Sequence, residues 1–307
     1  MNKANSTKND DFIMLPKNDF AFKMLFGSEN NKDLLIDLLA AIFGQDAAQL
    51  TELEFINPDL PGDSLEDKQG ILDIRAKQAD GTQINIEIQV SRLETMVHRS
   101  LFYWSRMYAT QLGPGEKYGL LRPCIAINIV NFNITALPSP HTTWHITEDQ
   151  AGERLTNLFE MHFLELPKLD KAQGKLSKRL EGWMRFLAAE SREELEMAIG
   201  QDEIYKRAYQ QLEVLSMDEA TRWQYEAREA WLKDEATRRS EALEEGEIKG
   251  KIANQLSNAL SLLDVLDDAT IAQKIALPIE IVQRLRAGED VKKIKEELLT
   301  ASEIVHA

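Results

Sequence analysis

The sequence contains little of what marks disulfide-linked, membrane or secreted proteins. Cys124 is the single cysteine among 307 residues, so no intrachain disulfide can form and a reducing compartment is the expected setting. No apolar run approaches the roughly 20 residues that span a bilayer. The polar start, residues 1–11, lacks the apolar stretch of a secretory signal. We therefore expect a cytoplasmic protein with a disordered lead over residues 1–11 and no membrane partner.

Several enzyme motifs are also missing. We find no P-loop, no dinucleotide fingerprint and no serine nucleophile elbow. His141 and His145 are four residues apart, but no cysteine or carboxylate stands nearby at zinc spacing, so a zinc site is not expected. The net charge of −15 opposes general binding to polyanions, so contact with nucleic acid would need a local basic face or metal ions.

The sequence does contain a two-stranded pattern over residues 71–91. Apolar residues occupy the even positions of both runs and polar residues occupy the odd positions, as in strands with one buried face. For both apolar rows to share a face, the loop between the runs must have an odd number of residues. A three-residue loop at 79–81 meets this demand, with Gly81 in the left-handed conformation.

This register brings two acidic side chains together. It places Asp73 opposite Glu87, with Gln89 next along the same face. A two-residue turn would instead put the two acids on opposite faces. From these residues alone, the alternative interpretation is that both acids are ordinary exposed residues of a hairpin.

Hydrophobic periodicity predicts an α/β domain followed by helices. The predicted helices span 19–27, 31–43 and 93–112, and the predicted strands span 53–57, both hairpin runs, 124–130, 142–146 and 158–166. This order of helices and strands indicates a mixed sheet. We assign residues 12–170 to this domain and residues 171–307 to a charged helical region, with a tight bend between two short helices at 276–278.

The first predicted helix, residues 19–27, begins at a polar pair. Asn18 or Asp19 can accept the hydrogen bonds of an N-cap. The residues expected to pack inward are Phe20, Met24 and Phe26.

The helix predicted at 93–112 carries two stripes. The stripe expected to face the core consists of Val97, Leu101, Trp104 and Tyr108. Arg99, Tyr103 and Arg106 form the other, which could hold phosphates and pack a tyrosine ring on a sugar or base. The alternative is a helix surface whose arginines cover apolar neighbours and pair with local acids.

Five segments in order resemble the Rpn family, the recombination-promoting nucleases and putative transposases of the PD-(D/E)XK superfamily. The segments are DFAFKMLFG, ILDIRAK, NIEIQV, HRSLFYWSRMYATQL and CIAINIVNF. The resemblance covers residues 12–165 closely and the charged tail more loosely. It implies a restriction-endonuclease-like mixed-sheet core, αβββαβ, flanked by helices, and metal-dependent hydrolysis of phosphodiester bonds in DNA.

The resemblance also implies roles for individual residues. Asp73 corresponds to the first acid of the family pattern and Glu87 to the acid of its third motif. Gln89 stands where the family usually has lysine, and Asp19 matches the acidic residue of the opening helix.

A metal site on this pattern would use Mg²⁺, with Mn²⁺ as a substitute. Asp73 and Glu87 would hold the ion, which activates water and stabilises charge on the phosphoryl oxygens. Gln89 can position the ion or water but cannot supply the positive charge of lysine. Lys23 and Arg99 are candidates for that charge. Asp19 would either bind the ion as well or hold one of its ligands in position.

Two rival functions remain open. One is a catalytically inactive DNA-binding or assembly module that kept the fold after losing lysine at position 89; the other is cleavage of RNA. In the tail, the bend resembles a helix-turn-helix, but Glu280 puts negative charge at the start of the would-be reading helix. We favour partner contact or homo-oligomerisation for the tail over base reading.

Overall fold

A six-stranded mixed sheet forms the centre of the molecule. The computed structural model describes residues 12–50, 52–57, 74–171, 174 and 176–306. The strands are β1 Glu54–Phe55, β2 Ile74–Lys77, β3 Gln83–Gln89, β4 Cys124–Val130, β5 His141–Trp144 and β6 Phe159–Glu165. Their order is β1-β2-β3-β4-β6-β5, and β4 runs parallel to both β3 and β6 while the other pairs are antiparallel. The prediction of a mixed α/β sheet is confirmed.

Helices surround the sheet and make up the later part of the chain. Those before β6 are α1 Asp19–Phe26, α2 Lys32–Phe43 and α3 Met96–Ala109. Those after it are α4 Lys178–Ala188, α5 Arg192–Ile199, α6 Glu203–Met217, α7 Glu219–Leu262, α8 Asp268–Ile275, α9 Ile279–Arg286 and α10 Val291–His306. None of the described helices has the length and apolar character that a membrane crossing requires.

The hairpin between β2 and β3 has the predicted register. Ile74 pairs with Ile86, and Lys77 pairs with Gln83. The amide of Gln78 donates to the carbonyl of Thr82 over 2.9 Å, so three residues form the loop, and Gly81 has a φ of 89°. Only glycine adopts that backbone conformation readily. Asp73, which precedes β2, lies outside the described residues.

The two faces of the sheet have different coverings. Apolar residues at even positions of β2 and β3 pack in the main core with α1, α2 and α4 to α6. The opposite face is covered by α3, whose Met96 and Trp104 pack against apolar residues of β4 and β6. Strand β4 lies between these layers, and Cys124 is buried in it, as its sequence predicts.

Two of the four residues that α3 was predicted to turn toward the core are exposed instead, whereas Trp104 does pack against the sheet. Val97 and Leu101 are 39% and 44% exposed. The residues buried against the sheet are Met96, Ser100, Tyr103 and Met107. A polar contact determines this rotation, because the Ser100 hydroxyl donates to Asn128 Oδ1 of β4 over 2.6 Å. A buried asparagine needs such a partner, and hydrophobic periodicity does not reveal it.

The inward face of α1 also differs from the prediction. Its buried residues are Ala21, Phe22, Leu25 and Phe26. Met24 is 36% exposed, so its predicted inward position is wrong. Two aromatic contacts explain the orientation: Phe22 packs on Phe26, and Phe26 packs on Trp183 of α4, which lies far away in sequence.

Helices α4 to α6 belong to the same core as the sheet, and the predicted boundary at residue 170 falls inside this compact unit. The unit ends instead at Ala230, and a second begins at Trp231. A buried polar contact joins α2 to α4. Asp37 is 6% exposed, and it accepts hydrogen bonds from Trp183 Nε1 over 2.7 Å and from Arg179 Nε over 2.9 Å.

The second unit has its own apolar cluster around α8 and α9. Asp267 caps α8, and the predicted bend occurs at Ala276, which takes a left-handed conformation with φ 56° and ψ 48°. The arginines of α9 are engaged within this unit. Arg284 pairs with Glu289 over 2.7 Å, and Arg286 pairs with Asp268 over 2.6 Å.

We predict that Asp37→Ala lowers the free energy of unfolding by about 3 kcal/mol, because it leaves buried donors without a partner. Asp33→Ala on the same helix is the control. Asp33 pairs with Arg207 at the surface, where an ion pair contributes roughly 0–1 kcal/mol. Urea unfolding followed by circular dichroism measures both changes, and equal losses would contradict the account.

Candidate metal and nucleic-acid site

The buried carboxylate of Glu87 is the centre of the candidate site. Strand β3 points this side chain toward α3, and the residue is only 4% exposed. Arg99 Nε donates to Glu87 Oε2 over 3.3 Å, and Asn85 Nδ2 approaches Oε1 at 3.5 Å. A buried carboxylate is unfavourable unless it is paired. Glu87 is therefore a buried acid partnered by one guanidinium, with a weak second contact.

A second oxygen beside Glu87 lacks a partner. Asn85 is 4% exposed, and its Oδ1 receives no hydrogen bond from the described residues. An unsatisfied buried acceptor is unusual in a folded protein, whereas carboxylate and amide oxygens are ligands for Mg²⁺ and Mn²⁺. Glu87 and Asn85 thus offer oxygens of the type that binds a divalent ion, although it is the Asn85 Nδ2 that faces Glu87.

The second acid of the predicted pair cannot be placed. Within the described ranges, no group of three histidine, cysteine or acidic residues could hold a metal ion. Asp73 lies outside those ranges. A joint metal site therefore stays a prediction.

Gln89 ends β3 and is tied to the local backbone. Its Nε2 donates to the carbonyl of Ser91 over 3.4 Å, and its own carbonyl accepts from the amide of Asn131 over 3.0 Å. The side chain is half-buried and brings no charge to the site. A compensating cation must come from elsewhere.

Two arginines lie on the Glu87 side of the sheet. Arg99 is the one that contacts the carboxylate, and its side chain is 33% exposed. Arg75 on β2 pairs with Asn85 in the sheet and is 8% exposed; burial lowers the pKa of its guanidinium. Arg75 was not among the predicted site residues, although its odd position in the strand places it on the same face as Asn85.

Asp19 forms an ion pair that the sequence did not reveal. Arg228 of α7 donates from Nε to Asp19 Oδ1 over 2.8 Å and to Oδ2 over 2.9 Å. The N-cap of α1 is Asn18, whose Oδ1 accepts from the amides of Phe20 and Ala21. The two interacting residues are far apart in sequence, so no local pattern could have joined them.

The start of α1 is linked to the end of the sheet where Gln89 lies. Lys17 Nζ is 2.7 Å from Glu190 Oε1, and it lowers the pKa of that carboxyl. Glu190 lines a surface cleft together with Asn131, whose amide bonds to Gln89. The structure gives no direct contact between Asp19 and Glu87.

The predicted nucleic-acid stripe of α3 is exposed only in part. Tyr103 is 8% exposed, and the Arg99 guanidinium lies over its ring at 5.0 Å. The expectation that this ring packs on a sugar or base is therefore wrong for the observed conformation. Arg106 lies on an outer part of the helix over Phe102, and Lys23 is exposed on α1. Their contact with DNA stays a prediction.

A histidine network joins β5 and β6 elsewhere on the sheet. His141 Nε2 is 2.9 Å from His162 Nδ1, and His162 Nε2 is 2.8 Å from Glu160 Oε1. Burial lowers the pKa of His141 to about 4, so this ring is neutral near pH 7. His145 approaches Glu160 at 3.7 Å. The four-residue spacing of His141 and His145 in the sequence gave no sign that His162 lies beside His141 in the fold.

The sheet and its flanking helices define a restriction-endonuclease-like fold. The family model described as PD-(D/E)XK nuclease family transposase matches residues 16–242. The chain belongs to this nuclease family, which is associated with mobile DNA, and the resemblance noted from its motifs is confirmed. Neither the curated proteins nor the solved structures include a match.

We predict that Asp19 and Arg228 are energetically coupled. Asp19→Ala and Arg228→Ala should each destabilise the protein, and the double variant should lose less than their sum by about 1 kcal/mol, as expected for a partly buried bidentate pair. Urea unfolding of the four proteins in this cycle measures the coupling. Strictly additive losses would show that the pair contributes nothing to stability.

Proposed function

We propose that the protein is a Mg²⁺-dependent DNA endonuclease that hydrolyses phosphodiester bonds in recombination or in the movement of mobile DNA. The observation that carries this proposal is the buried Glu87 carboxylate, with an unpartnered amide oxygen beside it and an arginine in contact. Membership of a nuclease family supports the same conclusion. A structural acid would be expected to have a more complete set of hydrogen bonds.

The residues that would hold the ion are Glu87 and Asp73, with Asn85 Oδ1 available on the same face. A bound Mg²⁺ supplies an activated water and stabilises charge on the phosphoryl oxygens. Because β3 is a central strand, hydrogen-bonded to β2 on one side and β4 on the other, Glu87 is held by a rigid backbone. Such rigidity favours a fixed ligand geometry.

Arg99 supplies the positive charge that Gln89 lacks. Its guanidinium contacts Glu87 and remains one-third exposed, so a phosphate near the acid could meet the same group. Arginine donates several hydrogen bonds in a fixed plane and stays protonated in proteins. Gln89 would then position water or substrate without contributing charge, and Lys23 would contact the DNA backbone.

The acidic chain has one element suited to a polyanion. Its net charge is −15, yet residues 95–115, which include all of α3, contain no aspartate or glutamate. Arg99 and Arg106 both lie in this segment. Because the net charge of the chain is negative, binding of nucleic acid needs a local basic face, and this segment provides one.

The rival function is a catalytically inactive DNA-binding or assembly module. Two features favour this rival. Gln89 stands where the family usually has a catalytic lysine, and Asp19 is already engaged in an ion pair with Arg228. In the second unit, the ion pairs of α9 favour partner contact over base reading. We propose that the C-terminal helices mediate homo-oligomerisation and that the protein acts in the cytoplasm.

Nicking of supercoiled plasmid separates these functions. Wild-type protein should nick the plasmid with Mg²⁺ or Mn²⁺ and lose this activity with EDTA. Glu87→Gln and Asp73→Asn should each lower the rate at least about 100-fold, since even residues that support metal ligands contribute 10- to 100-fold. Asp80→Asn in the hairpin loop is the matched control and should keep the wild-type rate.

A second variant tests the source of the missing charge. Arg99→Ala should lower the nicking rate about 100-fold, the effect of removing one preorganised donor, while Arg92→Ala should not. Arg92 lies just before this segment and pairs with Glu94 at the surface. If wild-type protein and Asp73→Asn leave the plasmid equally intact with either ion, the nuclease proposal is wrong.

A further inference from the structure

The most exposed aromatic side chain of α3 is one that the sequence pattern did not single out. Phe102 is 56% exposed, whereas its neighbour Tyr103 is buried. Arg106 lies one turn further along, with its guanidinium 5.8 Å from the centre of the Phe102 ring. An exposed ring beside a guanidinium presents both a stacking surface and a positive charge.

A series of side-chain contacts joins Phe102 to the candidate metal site. Arg99 contacts Glu87 at 3.3 Å and lies over the Tyr103 ring at 5.0 Å. The Tyr103 ring meets the Phe102 ring edge-on, with centres 5.6 Å apart and planes at 68°. From the buried acid to the surface of α3, one guanidinium, two aromatic rings and a second guanidinium thus follow one another.

The exposed ring and the guanidinium groups match the chemistry of a nucleic-acid strand. Phosphates bind arginine, and bases stack on aromatic rings and on guanidinium planes. In a duplex, however, each base is already stacked and paired, so its flat face is not available to a protein side chain. A flat exposed ring next to a phosphate-binding group therefore favours an unpaired base.

We propose that Phe102 and Arg106 form a stacking platform for an unpaired nucleobase next to a phosphate held by Arg99 beside Glu87. This inference rests on the proposed nuclease function and specifies its substrate: single-stranded DNA, or DNA with a flap, gap or branch at the cleaved position. Arg106 holds the neighbouring phosphate while the ring of Phe102 covers one face of the base.

The helix provides a matched control for apolar surface. Leu101 is 44% exposed and lies directly before Phe102, but it has no aromatic face. Truncating either side chain removes exposed apolar atoms from the same turn. Only the loss of Phe102 should affect stacking, so a difference between the two variants separates stacking from general surface contact.

Binding to fluorescein-labelled oligothymidine, measured by fluorescence anisotropy in EDTA, tests the platform without cleavage. Phe102→Ala and Phe102→Leu should weaken binding about 5- to 10-fold, the lower part of the range for loss of one stacked base. Phe102→Trp should retain the affinity, and Leu101→Ala should change it less than about 2-fold. Circular dichroism confirms that each variant is folded.

Oligonucleotides containing 2-aminopurine report stacking directly. Wild-type protein should quench the probe in a single strand, and Phe102→Leu should lose the quenching while Phe102→Trp keeps it. A fully paired blunt duplex should bind Phe102→Ala and wild type equally. Equal single-strand binding by wild type and Phe102→Ala, or an equal loss in Leu101→Ala, would overturn the inference.

The outcome is distinguishable from that of the nuclease proposal. If the wild type nicks plasmid but Phe102 variants bind single strands normally, the platform is wrong and the nuclease stands. If no nicking occurs but binding depends on Phe102, the platform is supported and the nuclease proposal fails.

Discussion

The contact between α3 and the polar face of β3 is the interaction on which the candidate site depends. That face carries Glu87 and Asn85, which would be solvated on an isolated hairpin. Because α3 covers them, both are buried, and their electrostatic requirements must be met locally. Arg99 meets part of that requirement for Glu87, whereas the Asn85 carbonyl oxygen is left without a donor in the described chain. The result is a buried acid and an unsatisfied amide oxygen on a face that also carries the guanidinium groups of Arg99 and Arg75.

The main features of the sheet followed from the sequence. Alternation and the odd loop length gave the register of the hairpin, since any other parity would have moved a whole apolar row to the wrong face. The apolar run of β4 correctly indicated burial on both sides. Helix α2 was also predicted correctly, with its row of leucines inside and Gly44 left-handed at its end. These predictions rest on local patterns, and such predictions are correct when the tertiary contacts favour the same structure.

The errors arose where distant contacts decided the outcome. The rotation of α3 is determined by Ser100 and Asn128, and that of α1 by aromatic packing on α4. The helices that follow the predicted boundary at residue 170 are rich in charge, yet they bury one face in the same core as the sheet, as Trp183 shows. Asp19 finds Arg228 on a helix that begins far along the chain. Nothing in a short window of sequence encodes such partners.

The most direct test of the account is metal binding at the hairpin. Isothermal titration of Mn²⁺ into the full-length protein should reveal a site that Glu87→Gln and Asp73→Asn each weaken strongly and that Asp80→Asn leaves unchanged. Such a result would show that the two acids share an ion, as the register requires. If Mn²⁺ bound the double variant of Glu87 and Asp73 as tightly as the wild type, the site would lie elsewhere and the central claim would be wrong.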